Sequence, residues 1–492
     1  LAPLLFLGYT PCSYSEIQDP EMLKGIHSFL KRPGKTIKQL LKSNGSEPQS
    51  SPFELRIVSR DEHPLSRSNV SDSALKVLYR LKKANYDAFL VGGCVRDALL
   101  GLHPKDFDVA TNATPEQVKS LFHNARIIGR RFRIVHVRYG REVIEVTTFR
   151  APPAEDSAKS LASQSEHGLL LRDNVYGTIN EDAVRRDFTI NALYYNIADF
   201  AIYDYADGIR DIQHRCIRMI GDPETRYRED PVRMLRAVRF AAKLDFNIEP
   251  VTEAPIRPMA SLLRQIPAAR LFEEVLKLFL SGQSVQTFLL LKEYRLLEQL
   301  FPYAAEQLQS QPHKEQFIIK ALESTDLRVA EDKPVTPAFL FAALLWPVVQ
   351  KAFVELTQKG GLPPVPAMQQ AGQQVLAAQS DFTSIPKRFS QPMREIWEFQ
   401  LRLERRQGKR AFQTAEHPRF RAAYDFLVLR AESGEKVQPL ADWWTAYQES
   451  NHSGKRSLVL DDVEINSEPV KKRRKRSRYR NNKPQHDRNI HE

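Results

Sequence analysis

Cysteine is scarce in this 492-residue chain: Cys12, Cys94 and Cys216 lie far apart and form no C-x-x-C pair. A disulfide framework and a zinc site are therefore not expected, and reduced thiols in a cytoplasmic setting fit best. Long apolar runs are missing as well. None reaches the roughly 18 residues of a membrane span; the longest, residues 337–349, contains Pro347 and reads as a buried helix, so no membrane partner is expected. The opening LAPLLFLGY lacks a basic flank and a clear cleavage pattern, so secretion is not expected, and Leu1 in place of Met points to a fragment or an over-extended reading frame. Glycine and proline, 20 and 31 residues, are too few for a low-complexity chain. Neither G-x-x-x-x-G-K-[ST] nor G-x-G-x-x-G occurs, which excludes the P-loop and Rossmann modes of phosphate binding.

What is present is charge, unevenly placed. The net charge is +12, and residues 471–492 alone hold ten Lys/Arg against two Asp/Glu, so the basic excess sits mostly in a tail. Such a tail suits a polyanionic partner. Residues 1–70 mix short apolar pieces with Lys, Ser and Pro and read as a disordered extension. From Ser71, a plausible N-cap, the pattern tightens: helix to residue 86, strand 88–91, turn Gly92-Gly93, helix 94–100, strand 106–109, helix 115–122 capped by Thr114, and a strand pair 133–139 and 142–149. Residues 153–168 read as a loop. Beyond about 210 helical runs dominate, at 229–244, 259–266, 270–280, 285–300, 338–350, 392–406 and 419–431, with an interruption at 359–367; past 451 no fold is expected. The fold class is α+β, divided into a head (71–205), a helical neck (206–275), an all-α body (276–450) and a basic tail (451–492).

The most informative segment is FLVGGCVRDALLGLHPKDFDVAT, residues 89–111. Asp106 and Asp108, two apart on an expected strand, project from one face while Phe107 and Val109 point to a core. An isolated D-x-D is usually just the polar face of a strand. Two carboxylates this close nevertheless repel unless a cation lies between them, the arrangement metal-assisted phosphoryl chemistry uses. Gly92-Gly93 closes a strand and opens a helix, where free N–H groups can receive a phosphate, and Arg96 one turn on can add positive charge. Glu145, within EVIEVTTF, is expected to be buried, and a buried carboxylate calls for a metal or a basic partner. Across 229–244, Glu229, Asp230, Arg233, Arg236 and Arg239 line one face of an expected continuous helix. A salt-bridged solvent face is the plain alternative.

Taken together, Gly92-Gly93, Arg96-Asp97 and Asp106-Phe107-Asp108, with RRDFTINAL at 185–193 and REDPVRMLRAVRFAAKL at 228–244, resemble the class II nucleotidyltransferases, the tRNA CCA-adding enzymes and bacterial poly(A) polymerases. The resemblance implies that Asp106 and Asp108 hold Mg2+, two ions with Mn2+ as an alternative, and that Glu145 or Asp187 completes the catalytic carboxylates. Asp187 could equally bind ribose, hold the arginines or cap an element. It also implies that Gly92, Gly93, Arg96 and Arg186 meet the nucleotide phosphates. Glu229, Asp230, Arg233 and Arg236 would form the nucleotide-recognition helix, with Asp230 and Arg233 reading the base edge.

Further features separate the branches. IIGRRFRIVHV at 127–137 is similar to a segment marking the polymerases. The only His-Asp, His486-Asp487, lies in the tail, so the phosphohydrolase domain of many CCA-adding enzymes is not expected. The basic residues Arg405, Arg406, Lys409 and Arg410, and Lys471, Lys472, Arg473, Arg474, Lys475 and Arg476 in the tail, suit sequence-independent grip on single-stranded RNA. The implied activity is template-independent transfer of adenylate from ATP to RNA 3′ ends, with a CCA-adding activity or a non-catalytic RNA-binding protein as alternatives. RNA-decay machinery is the implied setting.

Overall fold

The computed structural model describes residues 54–129, 133–151, 162–164, 170–173 and 175–465. Its head is built on eight strands: β1 (Arg56–Val58), β2 (Ala88–Val91), β3 (Asp108–Thr111), β4 (Ala125–Ile128), β5 (Ile134–Tyr139), β6 (Glu142–Thr148), β9 (Leu193–Asn196) and β10 (Ile202–Asp204). A separate short hairpin supplies β7 (Ala162–Gln164) and β8 (Leu170–Asp173). The large sheet runs β1-β10-β9-β2-β3-β6-β5-β4, antiparallel except where β3 lies parallel to β6. That parallel pairing needs a crossover, supplied by helix α3 (Pro115–Leu121), whose Thr114 Oγ1 accepts from the Gln117 N–H. Helices α1 (Asp72–Lys83) and α2 (Gly93–Leu99) precede it; Ser71 caps α1 by accepting from Ala74 N.

Four expectations need correction. Residues 54–70 belong to the head: β1 pairs with β10, and Leu65 and Val70 are buried. The expected helix 229–244 is two helices. With α4 (Ile179–Arg185) and α5 (Gly208–Gln213) before them, these are α6 (Pro223–Glu229) and α7 (Val232–Leu244). Pro231 lacks an N–H and disfavours helical geometry in the preceding residue, and Asp230 is accordingly extended at φ −149°, ψ 92°. The interruption near 359–367 is shorter than expected, because Pro364 sits in the first turn of a helix over Pro364–Gln379, where its missing donor costs nothing. Finally, His452–Ile465 is helical, with Val459 packed among Trp444 and Tyr447. The remaining tail residues lie outside the described residues.

The helical region carries its core in aromatic and aliphatic faces. One continuous apolar cluster runs from Val58 through Val238, Phe272 and Trp346 to Leu429, so the sheet and the first helices share a core. The helix Pro337–Gln358 is long and apolar enough to cross a membrane, but half of its most apolar stretch is buried inside the protein. Cys94 is buried, its thiol pushed up to about 12 by desolvation, which fits a small packing residue rather than a reactive one.

Candidate active site

The sheet places three polar side chains in a row. Parallel pairing sets Asp108 opposite Glu145, and antiparallel pairing sets Glu145 opposite His136. Partners across strands share a face. Asp106 lies just before β3 and is exposed, while Phe107 and Val109 are buried as their alternation requires. Glu145 is half-exposed, its side chain at 47%, against the expectation of burial. In β6 it is Ile144 and Val146 that turn inward. The cost at this site is therefore repulsion rather than burial of Glu145. Burial, then the charge of Glu145, push the Asp108 carboxyl up to about 6; Arg186 opposes this and Asp106 adds to it.

Beside this row lies a network of arginines. Gly92, at φ 77° and ψ −126°, holds a backbone conformation that side chains disfavour, and a Cβ there would meet Arg186 Nη1 and Asn191 O at 3.7 Å. The Gly92 N–H donates to Leu193 O at 3.2 Å, so it is spent within the sheet rather than free as expected. Gly93 opens α2, with no intrahelical acceptor for its N–H. Arg96 does not face solvent. It is 2% exposed, donates to Asp97 Oδ1 at 2.8 and 2.5 Å and to Asn191 Oδ1 at 2.5 Å, and lies over the Phe240 ring. Its reach toward a ligand runs through Asn191, whose Nδ2 donates to Asp187 Oδ1 at 3.1 Å.

Asp187 is saturated. It also accepts from Phe188 N at 2.8 Å and from Arg236 at 2.6 and 2.5 Å. Although burial opposes ionisation, the Arg236 guanidinium and these hydrogen bonds hold the carboxyl well below the usual carboxylate range. Arg186 donates through Nε to Tyr194 Oη at 2.8 Å and through Nη2 to Asp182 at 2.9 Å. On α6 and α7, Glu229 accepts from Arg226 at 2.7 Å and Arg233 at 2.8 Å, and Arg226 anchors the carbonyls of Arg185 and Arg186. Asp230 Oδ2 accepts from Arg270 at 2.7 Å, from a helix at Ala268–Phe279, while Asp230 Oδ1 and Arg270 Nη1 are buried without partners.

Positive charge is crowded here. Burial, and then neighbouring arginines, bring Arg185 down to about 9 and Arg226 and Arg239 down to about 10. An acidic row with its carboxyl raised and an arc of crowded guanidiniums are complementary to a cation and a polyanion side by side. No cluster of three or more His, Cys, Asp or Glu forms a ready metal cage among the described residues. Asp106 and Asp108 nevertheless offer hard oxygen donors, and burial and the charge of Glu145 hold the Asp108 carboxyl up, which fits a divalent cation.

Of the residues singled out from sequence, those of the head and α6–α7 come together around this site. Arg405, Lys409 and Arg410 are distant in sequence and exposed; Arg406 lies 5.4 Å over Trp443. Lys471, Lys472, Arg473, Arg474, Lys475 and Arg476 lie outside the described residues. Sequence reading missed His136, Asp182, Asn191, Tyr194, Arg226 and Arg270. Asp182, Asn191 and Tyr194 fall within or just beside RRDFTINAL, His136 lies in IIGRRFRIVHV and Arg226 just before REDPVRMLRAVRFAAKL, whereas nothing local marks Arg270.

Comparison with known proteins supplies the wider setting. Three family models match: a poly A polymerase head domain over residues 88–218, a "Probable RNA and SrmB- binding site of polymerase A" over 245–308, and a polymerase A arginine-rich C-terminus over 360–481. Poly(A) polymerase I of Salmonella typhimurium is 49% identical over 440 residues, 88% of this chain and 93% of that protein. The Haemophilus influenzae poly(A) polymerase I is 46% identical over 86% of this chain and 95% of its own length. A CCA-adding enzyme of Lactobacillus helveticus is 39% identical over 47% of this chain and 55% of that enzyme. Among solved structures, a tRNA-processing enzyme in an apo form shares the fold at TM-score 0.53 and 22% identity, covering 82% of this chain and all of that one.

Proposed function

Because this chain belongs to the poly(A) polymerase family, we propose that it adds AMP from ATP to RNA 3′ ends without a template, releasing pyrophosphate. The observation that carries the reading is the carboxylate pair Asp108 and Glu145 on β3 and β6, with Asp106 just before β3, set beside crowded arginines, one field for a cation and one for a triphosphate. The identity to the poly(A) polymerases spans most of the chain, while that to CCA-adding enzymes stops near half, which favours adenylate addition over the alternative.

Asp106 and Asp108 would hold a divalent cation, Mg2+ in a two-ion set with Mn2+ as an alternative. When bound, it supplies Lewis acidity to the attacking 3′-hydroxyl and the departing pyrophosphate. The chain's own residues do the rest. Glu145 would complete the carboxylates, because Asp187 already accepts from three residues and acts as the post that holds Arg236. Arg186, steadied by Asp182 and Tyr194, keeps Nη1 beside Gly92 for phosphate, with the Gly93 N–H as a further donor. Asp230 Oδ1, buried and unpartnered, is the acceptor for an exocyclic amino group. Arg233, its Nη1 spent on Glu229 and on Arg226 O, turns its other nitrogens to the ring. A head of residues 54–205, a neck of 206–275 and a body of 276–465 are the units of this proposal, with Arg405, Arg406, Lys409, Arg410 and the basic tail gripping RNA phosphates. Tailing of RNA for the decay machinery in the cytoplasm is the setting that fits.

The test offers oligo(A), and a tRNA lacking its 3′ end, each nucleotide separately with Mg2+. Long tails from ATP alone are expected; ordered addition ending after C, C and A would establish the CCA reaction instead. Asp106→Ala and Asp108→Ala are each expected to abolish incorporation, and activity surviving either change would remove the metal assignment.

A further inference from the structure

We propose that His136 is the positioning residue for Glu145, its imidazole N–H holding that carboxylate in line with Asp108 at the cation site. The inference rests on the adenylyl-transfer reading above. Its basis is the cross-strand row Asp108–Glu145–His136, contributed by β3, β6 and β5, with Arg126 opposite His136 on β4. His136 Nε2 lies 3.1 Å from Glu145 Oε1, a hydrogen bond in which the tautomer protonated at Nε2 donates. Glu145 is half-exposed and has three side-chain torsions, so without a partner it would sample many rotamers on the open face of the sheet. The neighbouring arginines are committed elsewhere: Arg186 to Asp182 and Tyr194, Arg236 to Asp187.

The residue type matters. A lysine or arginine opposite Glu145 would cancel its charge permanently and compete with a cation. An imidazole carries no permanent charge and holds the carboxylate by one N–H. Glu145 lies directly across from Asp108 on the same face of the sheet, so its charge sits beside the cation site. His136 thus does for a cation-binding carboxylate what outer-sphere hydrogen bonds do for metal ligands generally.

The full-length protein is tested in two ways: Mn2+ binding to the nucleotide-free protein, followed by the electron paramagnetic resonance signal of free Mn2+, and steady-state adenylate incorporation on oligo(A). The variants are His136→Phe, which keeps a ring and strand propensity but removes the N–H, and His136→Gln, whose amide nitrogen reaches about as far as Nε2. His136→Phe is expected to weaken Mn2+ binding and lower kcat by roughly 10–100-fold, with the KM for ATP nearly unchanged. His136→Gln is expected to recover most of both losses. Wild-type Mn2+ affinity in His136→Phe, or no recovery in a folded His136→Gln, would overturn the proposal. If His136→Phe does not fold, a His136→Gln that binds Mn2+ as weakly as Glu145→Gln overturns it, and near-wild-type binding supports it. Wild-type protein that binds Mn2+ but incorporates no adenylate would sink the functional reading alone, since the binding comparison still judges His136.

Discussion

Asp108 and Asp187 lie in the same head and are driven in opposite directions, which makes their effects on stability opposite in sign. Asp108 has its folded pKa raised to about 6 by burial and like charge. Its favourable contribution is present below the unfolded value near 3.9 and is lost as pH rises through about 6. Asp108→Asn should therefore stabilise the cation-free protein at pH 8, by at most about 3 kcal/mol at 1.36 kcal/mol per pH unit, while abolishing activity. Denaturant unfolding at pH 8 and pH 4 checks this: the gain should shrink toward the acid end. Added Mg2+ should raise the wild-type melting temperature and leave Asp108→Asn nearly unmoved. Asp187, by contrast, has its pKa depressed by Arg236, so it contributes stability above about pH 4 that is lost as pH falls. Asp187→Asn, which strands Arg236, should cost roughly 3 kcal/mol at pH 7 and flatten the acid limb of the stability profile. Both aspartates were visible as candidates in the sequence. Their opposite electrostatics were not, because the partners Glu145 and Arg236 are 37 and 49 residues away in the chain.

At the level of elements, short-range chemistry was legible and long-range pairing was not. Strand β2, helix α3 with its Thr114 cap and the β5–β6 pair lie where apolar alternation and capping residues put them. The periodicity across 229–244 was real, but period alone could not show that Pro231 divides it. That break sets Asp230 in an extended conformation at the junction of α6 and α7, with one oxygen on Arg270 and the other unpaired. Pro231→Ala should relax this restriction. The expected result is a several-fold higher KM for ATP with the melting temperature changed by no more than a few degrees, measured by steady-state kinetics and thermal unfolding; a KM within twofold of wild type would count against Asp230 reading the base. Likewise, β1 has only three residues and no local signal, and exists because β10 offers it an edge.

For the whole molecule, charge is divided between a tail and a nearly balanced body, as composition indicated. Truncation after residue 465 should weaken RNA binding and flatten its dependence on salt, since fewer phosphates would be neutralised; an unchanged slope in a filter-binding or fluorescence titration would exclude the tail from RNA contact. The candidate site, by contrast, depends on assembly across the fold. Sequence by itself determined the candidate groups: D-x-D at a strand, Gly92-Gly93, the paired arginines and the segment 228–244, all local in the chain. Only the tertiary structure decided their surroundings. It turned Arg96 inward onto Asn191, filled Asp187 with donors, left Glu145 half-exposed beside His136, and brought Arg270 onto Asp230. The physical reason is that a side chain's charge state and free valences are set by whichever groups the fold packs against it, and spacing along the chain records only the near ones.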